Sequence, residues 1–298
     1  MAKIGVGMYS AASPDPCGEI ATDDATILRV FPRRTSLTPR DPLAFVGDPP
    51  LIRPQADEVH ISVAFTWDVE EGKRLAQSWG QYYPMVRLGG PAISISDGFI
   101  AGRYVRSGLT FTSRGCDNCC PWCLVPEREG KVWQLDSIAE GWDVGDNNFL
   151  QCSLSHRAAV YSMLRRQMRA ARFSGGLQAS LLTDAVADEL RGLRINEIFL
   201  AADSEGALKP LAKALGRLAW LPRRKKRCYV LIGFEEESLT RAEARLEAVW
   251  ELGALPFTQL YQPPDEYVSY DSEWRALARK WSRPAAMFAT HKESTDEP

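Results

Sequence analysis

The sequence predicts an α/β protein: parallel strands alternating with helices, curled into a partial barrel or left open, preceded by a smaller α/β unit. Three observations carry this. From residue 108 to residue 262, six apolar, β-prone segments alternate with five helical ones, and regular alternation of this kind builds a parallel sheet. Before residue 107 the same pattern lasts for only about one βαβ unit. The chain has 298 residues, 45% of them hydrophobic and 25% charged, so it can bury a core without disulfides.

In the first 57 residues, SAASPDPCGE and LTPRDPLAFVGDPP read as irregular loops rich in Pro, Asp and Arg. Val59 to Trp67 (VHISVAFTW) reads as a buried strand, Asp68 as the cap of a helix reaching Trp79, and MVRLGG as a second short strand. Residues 1–107 are therefore expected to form a small, truncated, Rossmann-like domain.

The longer series starts with the strand LTFTS, which leads into a cysteine-rich loop. WDVGDNNFL is a strand, followed by a helix capped at Ser153 or Ser155. RFSGGLQASL is a strand and TDAVADELRGL a helix capped by Thr183. INEIFLAAD is a strand, and SEGALKPLAKALGRLAW a helix that Pro210 is expected to kink. CYVLIGF is a strand, SLTRAEARLEAVWELG a helix closed by Gly253, and FTQLYQ the last strand. DSEWRALARKW is a final helix, so this domain is expected to span 108–283, with 284–298 as a flexible tail. Ligands of parallel α/β sheets sit at the carboxyl ends of the strands, which places the cysteine loop on the working face.

Composition narrows the function. No stretch approaches the ~20 apolar residues of a membrane helix, so no membrane partner is expected. The start, MAKIGVGMYS, lacks a basic region followed by an apolar run, and a cytoplasmic location is expected. A net charge of −2 gives no global attraction to nucleic acid.

Residues 113–130, SRGCDNCCPWCLVPEREG, carry four of the seven cysteines. A zinc ribbon needs two knuckles a dozen or more residues apart, whereas Cys116, Cys119, Cys120 and Cys123 are nearly contiguous. A redox pair formed by Cys120 and Cys123 would leave Cys116 unexplained. With Cys119 as a bystander, Cys116, Cys120 and Cys123 form C-x3-C-x2-C, three thiolates able to hold three irons of a four-iron cluster and leave the fourth open. By chemistry alone, Cys116, Cys119 and Cys123 remain an alternative triplet.

This motif after a first strand, with the aromatic Trp122 beside the last cysteine, resembles the signature of the radical S-adenosylmethionine (SAM) enzymes. TSRGC…WCLVPEREGK is similar to the cluster loop of their methylthiotransferase branch, DNNF at 146–149 to its amino-group contacts, and YVLIGFEEES at 229–238 to its fifth-strand motif. The resemblance covers residues 108–262 and implies a partial (β/α)6 barrel. It implies a [4Fe-4S] cluster whose open iron binds SAM, an electron supplied by a flavodoxin- or ferredoxin-like donor, and a 5′-deoxyadenosyl radical that abstracts hydrogen from the substrate. The cluster ligands it implies are Cys116, Cys120 and Cys123. The SAM contacts are Trp122, Asp146, Asn147, Asn148, Ser174, Gln178, Asp203 and Gly233, the last for close adenine packing. Glu205, like Asp203, is a candidate for a substrate or ribose hydroxyl, Gln259 and Tyr261 are weaker candidates, and no residue is singled out as catalytic.

Departures from the family narrow the reaction. Only Cys17 precedes Cys116, so the second cluster of the methylthiotransferases is not expected. The unit before residue 107 resembles the end of a cobalamin-binding domain, but its D-x-H-x-x-G motif is absent and His60 sits in a strand, so cobalamin is not expected. Hydrogen abstraction followed by isomerisation is then favoured. Compact relatives of this type are similar to ones carried by bacterial viruses, where some act in thymidine hypermodification, so a modified nucleotide in viral DNA is the suggested substrate and the host cytoplasm the setting. The alternatives are a tRNA- or protein-modifying methylthiotransferase-like enzyme and a non-catalytic zinc or iron–sulfur module. Arg103, Arg106, Arg114, Arg128 and Lys131 are candidate phosphate contacts, while Arg165, Arg166, Arg169, Arg172 and the run Arg223–Arg227 are expected to be solvated surface.

Overall fold

The structure is a computed structural model that describes residues 25–93, 102–264 and 266–291. The chain divides into two compact units, Met1–Arg106 and Ser107–Pro298.

The first unit is built on four parallel strands, β1 (Ile27–Phe31), β2 (Ala44–Val46), β3 (Glu58–Ser62) and β4 (Val86–Gly89), in the order β2-β1-β3-β4, with helix α1 (Val69–Gly80) between β3 and β4. Two of these strands lie in the stretch expected to be irregular. In β1, ILRVF, Leu28 and Val30 point into a core with Val59, Ile61, Leu75 and Trp79. The Pro- and Arg-rich flanks hid that short alternation. β3 ends at Ser62, five residues earlier than its apolar run suggests, because residues 66–68 close a 3-10 turn. Asp68 makes no capping bond to α1; it is buried and pairs with Arg33. Cys17 lies outside the described residues.

In the second unit, β5 (Leu109–Thr110) enters a hairpin formed by β6 (Ser113–Arg114) and β7 (Trp133–Gln134), with the short helix α2 (Val125–Glu129) between its arms. Then follow β8 (Asp143–Val144), α3 (Leu154–Arg166), β9 (Ala171–Phe173), α4 (Asp184–Arg191), β10 (Ile195–Ala201), α5 (Leu208–Arg217), β11 (Lys226–Ile232), α6 (Leu239–Glu251), β12 (Leu255–Leu260), α7 (Ser272–Lys280) and α8 (Pro284–His291). All six sheet strands are parallel and ordered β5-β8-β9-β10-β11-β12, their order in the sequence. The protein is thus a mixed α/β chain with parallel sheets.

Local chemistry sets the ends of these helices. Ser153, Thr183, Ser238 and Asp271 each accept a hydrogen bond from a first-turn amide, which satisfies a donor the helix cannot. Pro210 falls in the first turn of α5, preceded by a separate 3-10 turn at Glu205–Ala207, so its missing N–H breaks no bond and no kink is needed. The strands read at 142–150 and 172–181 shrink to two and three residues, because the polar stretches after Val144 and Phe173 are loops at the sheet's carboxyl edge. Residues 284–291, expected in a tail, form α8, whose Met287 is fully buried.

The two faces of this sheet differ. Val144, Phe173, Ile198, Leu200, Cys228 and Val230 point to the helices, where Leu164, Leu190, Leu211, Leu246 and Trp281 complete the core. The alternate residues point the other way (β-strand side chains alternate) and are charged or aromatic. Arg172 pairs with Asp143 at 3.0 Å and Glu197 at 2.9 Å, and Phe199 stacks on Tyr229 with ring centroids 4.7 Å apart. Lys226 and Arg227, read as part of a solvated loop, are buried at the start of β11.

Candidate functional site

The cysteines occupy the hairpin at the carboxyl end of β5. Gly115 closes its neck at φ +75°, with the Lys131 carbonyl only 2.1 Å from where a Cβ would stand. Cys116 N donates to Gly130 O at 3.1 Å. Glu129 ties the neck together, accepting from Gly115 N at 3.0 Å and Asn147 Nδ2 at 2.6 Å and pairing with Arg114. Asp117 accepts from Val132 N at 3.0 Å. Cys123 N donates to Cys120 O at 3.0 Å, so Pro121 and Trp122 are the centre of a tight turn that folds these two cysteines toward each other.

The thiols share one electrostatic neighbourhood. Burial pushes the Cys120 thiol up, and Cys123, Asp203, Cys116 and Cys119 push it further. Burial also raises Cys123, partly offset by the Val125 amide, with Cys116, Asp203 and Glu129 adding to the rise. All described cysteines are free thiols; Cys119 and Cys123 are exposed, while Cys152 and Cys228 are buried in the core region. Among the described residues, no three His, Cys, Asp or Glu side chains stand close enough to hold a metal ion.

Around the hairpin the polar candidates separate into two kinds. Asp146 turns away from the thiols: its carboxylate accepts from Thr112 N at 2.6 Å, Thr112 Oγ1 at 2.5 Å and Ser113 Oγ at 2.8 Å, and it is 1% exposed. Because the Thr112 hydroxyl donates to Asp146, it accepts from His156 Nε2–H at 3.1 Å. Burial raises Asp146 against these donors. Its work is to join the β8 loop to the strand that carries the cysteines. Asn147 is engaged by Glu129.

Asn148 is different. Its Nδ2 donates to Gln178 Oε1 at 2.7 Å and lies 3.6 Å from Cys116 Sγ, while its Oδ1 is buried with no hydrogen-bond partner. Gln178 Oε1 also accepts from Asn118 Nδ2 at 3.2 Å and Gln151 Nε2 at 3.1 Å, so Asn118, Asn148, Gln151 and Gln178 form one amide cluster beside Cys116. Ser174 offers its carbonyl to the Tyr229 hydroxyl at 2.8 Å. Gly175 is small because the Asp146 carbonyl lies 2.0 Å from its would-be Cβ, a backbone packing reason, whereas Gly176 (φ +104°) faces open space.

Asp203 makes no helix cap; it accepts from Leu231 N at 2.8 Å across the strands, and burial raises its carboxyl. Glu205 pairs with Arg241. Trp122 packs edge-on against Phe234 at 5.4 Å, and Phe234 against Tyr261 at 4.9 Å. Against Gly233 stands Tyr270, whose hydroxyl would meet a Cβ at 2.7 Å and donates to Tyr261 O at 2.8 Å. The close approach expected there is thus filled by a side chain of this protein. The adjacent Glu235 and Glu236 have φ of 49° and 55°, left-handed values that cost non-glycine residues about 1 kcal/mol each. Gln259 is exposed.

Sequence reasoning missed Glu129, Asn118, Gln151, Phe234 and Tyr270. Glu129 had one available signal, an acid placed fourteen residues after Gly115 at the far arm of the same loop. The others belong to different loops that only the sheet brings together. Of the candidate phosphate contacts, Arg114 is occupied by Glu129, and Arg103 and Arg106 belong to the other unit. Exposed Asp117, Glu127, Glu205, Glu235 and Glu236 outnumber exposed Arg128, Lys131 and Arg241 along this carboxyl edge, Arg241 being paired with Glu205.

No family model matches this chain, and no curated protein does. Among the described residues, no helix is long and apolar enough to cross a membrane.

Proposed function

We propose that the protein is a radical SAM enzyme in which Cys116, Cys120 and Cys123 hold a [4Fe-4S] cluster. The observation that carries this reading is C-x3-C-x2-C on a hairpin at the carboxyl end of the first of six parallel strands that run in sequence order. That order favours helices on a single face and a sheet curled toward a partial (β/α)6 barrel, since successive crossovers share one hand. The three thiols are free and share one hairpin, and binding the group would draw them closer together than they stand here. Burial, with neighbouring thiols adding to it, raises Cys120 and Cys123, so a cationic centre that favours their anionic forms would offset that cost. The unpartnered Asn148 Oδ1 is an acceptor for an ammonium group such as that of SAM.

When bound, the cluster supplies the electron that splits SAM and yields a 5′-deoxyadenosyl radical. The chain's own residues position and shield. The amide cluster of Asn118, Asn148, Gln151 and Gln178 orients polar groups next to Cys116, and Gly176 leaves room for close approach. Trp122, Phe234 and Tyr261 form an apolar wall that excludes water.

For the substrate we propose hydrogen abstraction and isomerisation of an amino-acid-modified thymidine in viral DNA. The acidic carboxyl edge suits the ammonium of an amino-acid adduct better than the phosphates of the backbone. Mass spectrometry of nucleosides from viral DNA, made with and without the gene, tests the substrate: an unchanged nucleoside profile rejects it.

Anaerobic reconstitution with iron and sulfide tests the chemistry. A brown protein that converts SAM to 5′-deoxyadenosine under dithionite is expected, with Cys120→Ala abolishing cleavage and Cys119→Ala largely sparing it. A colourless zinc protein would sink the reading, and loss of cleavage in the second variant alone would move the ligand set to Cys116, Cys119 and Cys123.

A further inference from the structure

At the other edge of the second unit's sheet, where the strands begin, the charge is reversed. The segments between α3 and β9, α4 and β10, and α5 and β11 all lie on this amino edge, and they hold exposed Arg169, Arg194 and Arg224. Adjacent segments are tied together: Ala171 N donates to Arg194 O at 2.7 Å, and Lys225 Nζ to Ile195 O at 2.7 Å. Acids are scarce here. The three connections hold no acid; beside them, Glu140 is taken by Arg166 at 2.9 Å, exposed Asp188 lies 3.9 Å from Arg191, and Glu251 is exposed at the end of α6.

Part of this charge complements the carboxyl ends of the helices, which point to this edge. The arrangement of the arginines goes further. The Arg169 guanidinium lies 4.5 Å over the Trp142 ring, Arg191 5.6 Å over Trp220 and Arg223 4.2 Å over Trp250. Three guanidiniums are thus held on indole faces, which limits their freedom; Arg169 is exposed, Arg191 also faces Asp188 at 3.9 Å, and Arg223 keeps one nitrogen buried. A planar, pre-ordered fork is suited to bidentate binding of phosphate oxygens.

We propose that this amino-edge face is a docking surface for the phosphate backbone of nucleic acid, read without regard to sequence. Protein partners are usually seated on exposed aromatic or aliphatic anchors in pockets. Here the indole rings are covered by guanidiniums, Met168 is the one large apolar side chain exposed in these three connections, and the face presents Arg169, Arg194 and Arg224 on neighbouring connections. Backbone binding needs only such cations, and a net charge of −2 over 298 residues does not prevent a local basic face. The face lies away from the cysteine hairpin, so it would tether the protein to a polymer rather than present a base for chemistry. It is independent of the cluster reading and is testable on the apo chain.

The test is fluorescence anisotropy with a labelled mixed-sequence DNA duplex of about 20 base pairs, titrated at several salt concentrations. The full chain is expected to bind with a Kd of about 10 μM near 100 mM salt, with affinity falling log-linearly as salt rises. Removing three contacts in R169Q/R194Q/R224Q is expected to weaken binding about 10-fold or more and to flatten the salt slope by about 2 to 3. R128Q/K131Q, at the carboxyl edge, is expected to bind as the parent does. Circular dichroism checks that the triple variant is folded. R224Q alone, at an exposed side chain, gives the same test with a slope change of about 0.9 should the triple variant unfold. Binding that ignores salt, equal binding by R224Q and the parent, or polyglutamate competing as well as unlabelled duplex at equal charge would each overturn the proposal, the last by pointing to an acidic protein partner.

Discussion

At the scale of single residues, the buried polar groups show which side chains hold the structure and which are left for a ligand. Asp146 and Asn148 are two positions apart, yet one has its acceptors filled by Thr112 and Ser113 and the other keeps a buried oxygen unpaired. Asp146→Ala strands a backbone amide and two hydroxyls, so a loss of about 2–4 kcal/mol is expected in chemical denaturation, while Asn148→Ala should cost much less. His60 makes a pH prediction. Its Nε2–H donates to Glu58 at 2.8 Å and its Nδ1 accepts from Tyr104 at 2.7 Å. Burial holds the imidazole below its ordinary value of 6.5 and outweighs the Glu58 contact that raises it. The unfolded chain therefore binds the proton first as pH falls, and stability of the first unit should drop below about pH 6.5. Glu58, held low chiefly by the His60 contact, adds a loss in the same direction at lower pH. Thermal melts at pH 7 and 5.5 should show a smaller difference for His60→Gln than for the parent; an equal difference would remove His60 as the cause.

At the scale of elements, the hairpin that carries the cysteines is held less by its strands, two residues each, than by its neck. The Gly115 backbone meets Lys131 O where no side chain fits, and Glu129 bridges both arms. Gly115→Ala should therefore open the neck and spread the thiols. The expected result is a folded protein by circular dichroism that retains less than about a tenth of the parent's iron after reconstitution, since metal binding depends on ligand placement. Full iron retention would show that the neck does not set the cysteine geometry. α8 illustrates the opposite case, an element fixed by packing rather than by its sequence. Its Met287 is fully buried and His291 stacks at 4.6 Å on Trp250, although the segment has little amphipathic pattern of its own.

At the scale of the whole molecule, there are two cores with separate membership. Trp79 is fully buried in one and Trp281 in the other. Large-to-small changes at such sites cost about 3–5 kcal/mol. Hydrogen exchange should show Trp79→Ala loosening amides of β1 and β3 while those of β10 and β11 keep their protection, and Trp281→Ala doing the reverse. Loss of protection in both units from either change would mean one cooperative unit.

Much was legible in the residues themselves. Alternating segments of strand and helix character, the helix caps at Thr183 and Ser153, and the cysteine spacing are local chemistry, decided within a few positions of chain. The short strands β1 and β2 were not legible, because strands of three to five residues become strands only when a neighbour supplies hydrogen bonds. The roles of Asp146, Asn148, Gly233 and Gly175 were decided by tertiary structure as well. Each depends on what a distant loop places beside it: Thr112, Gln178, Tyr270 and the Asp146 carbonyl come from other elements. Sequence determined which groups are available and where the chain turns. Folding alone decided which polar atoms find partners, because burial makes every unpaired donor or acceptor costly and only the packed loops show which ones are met.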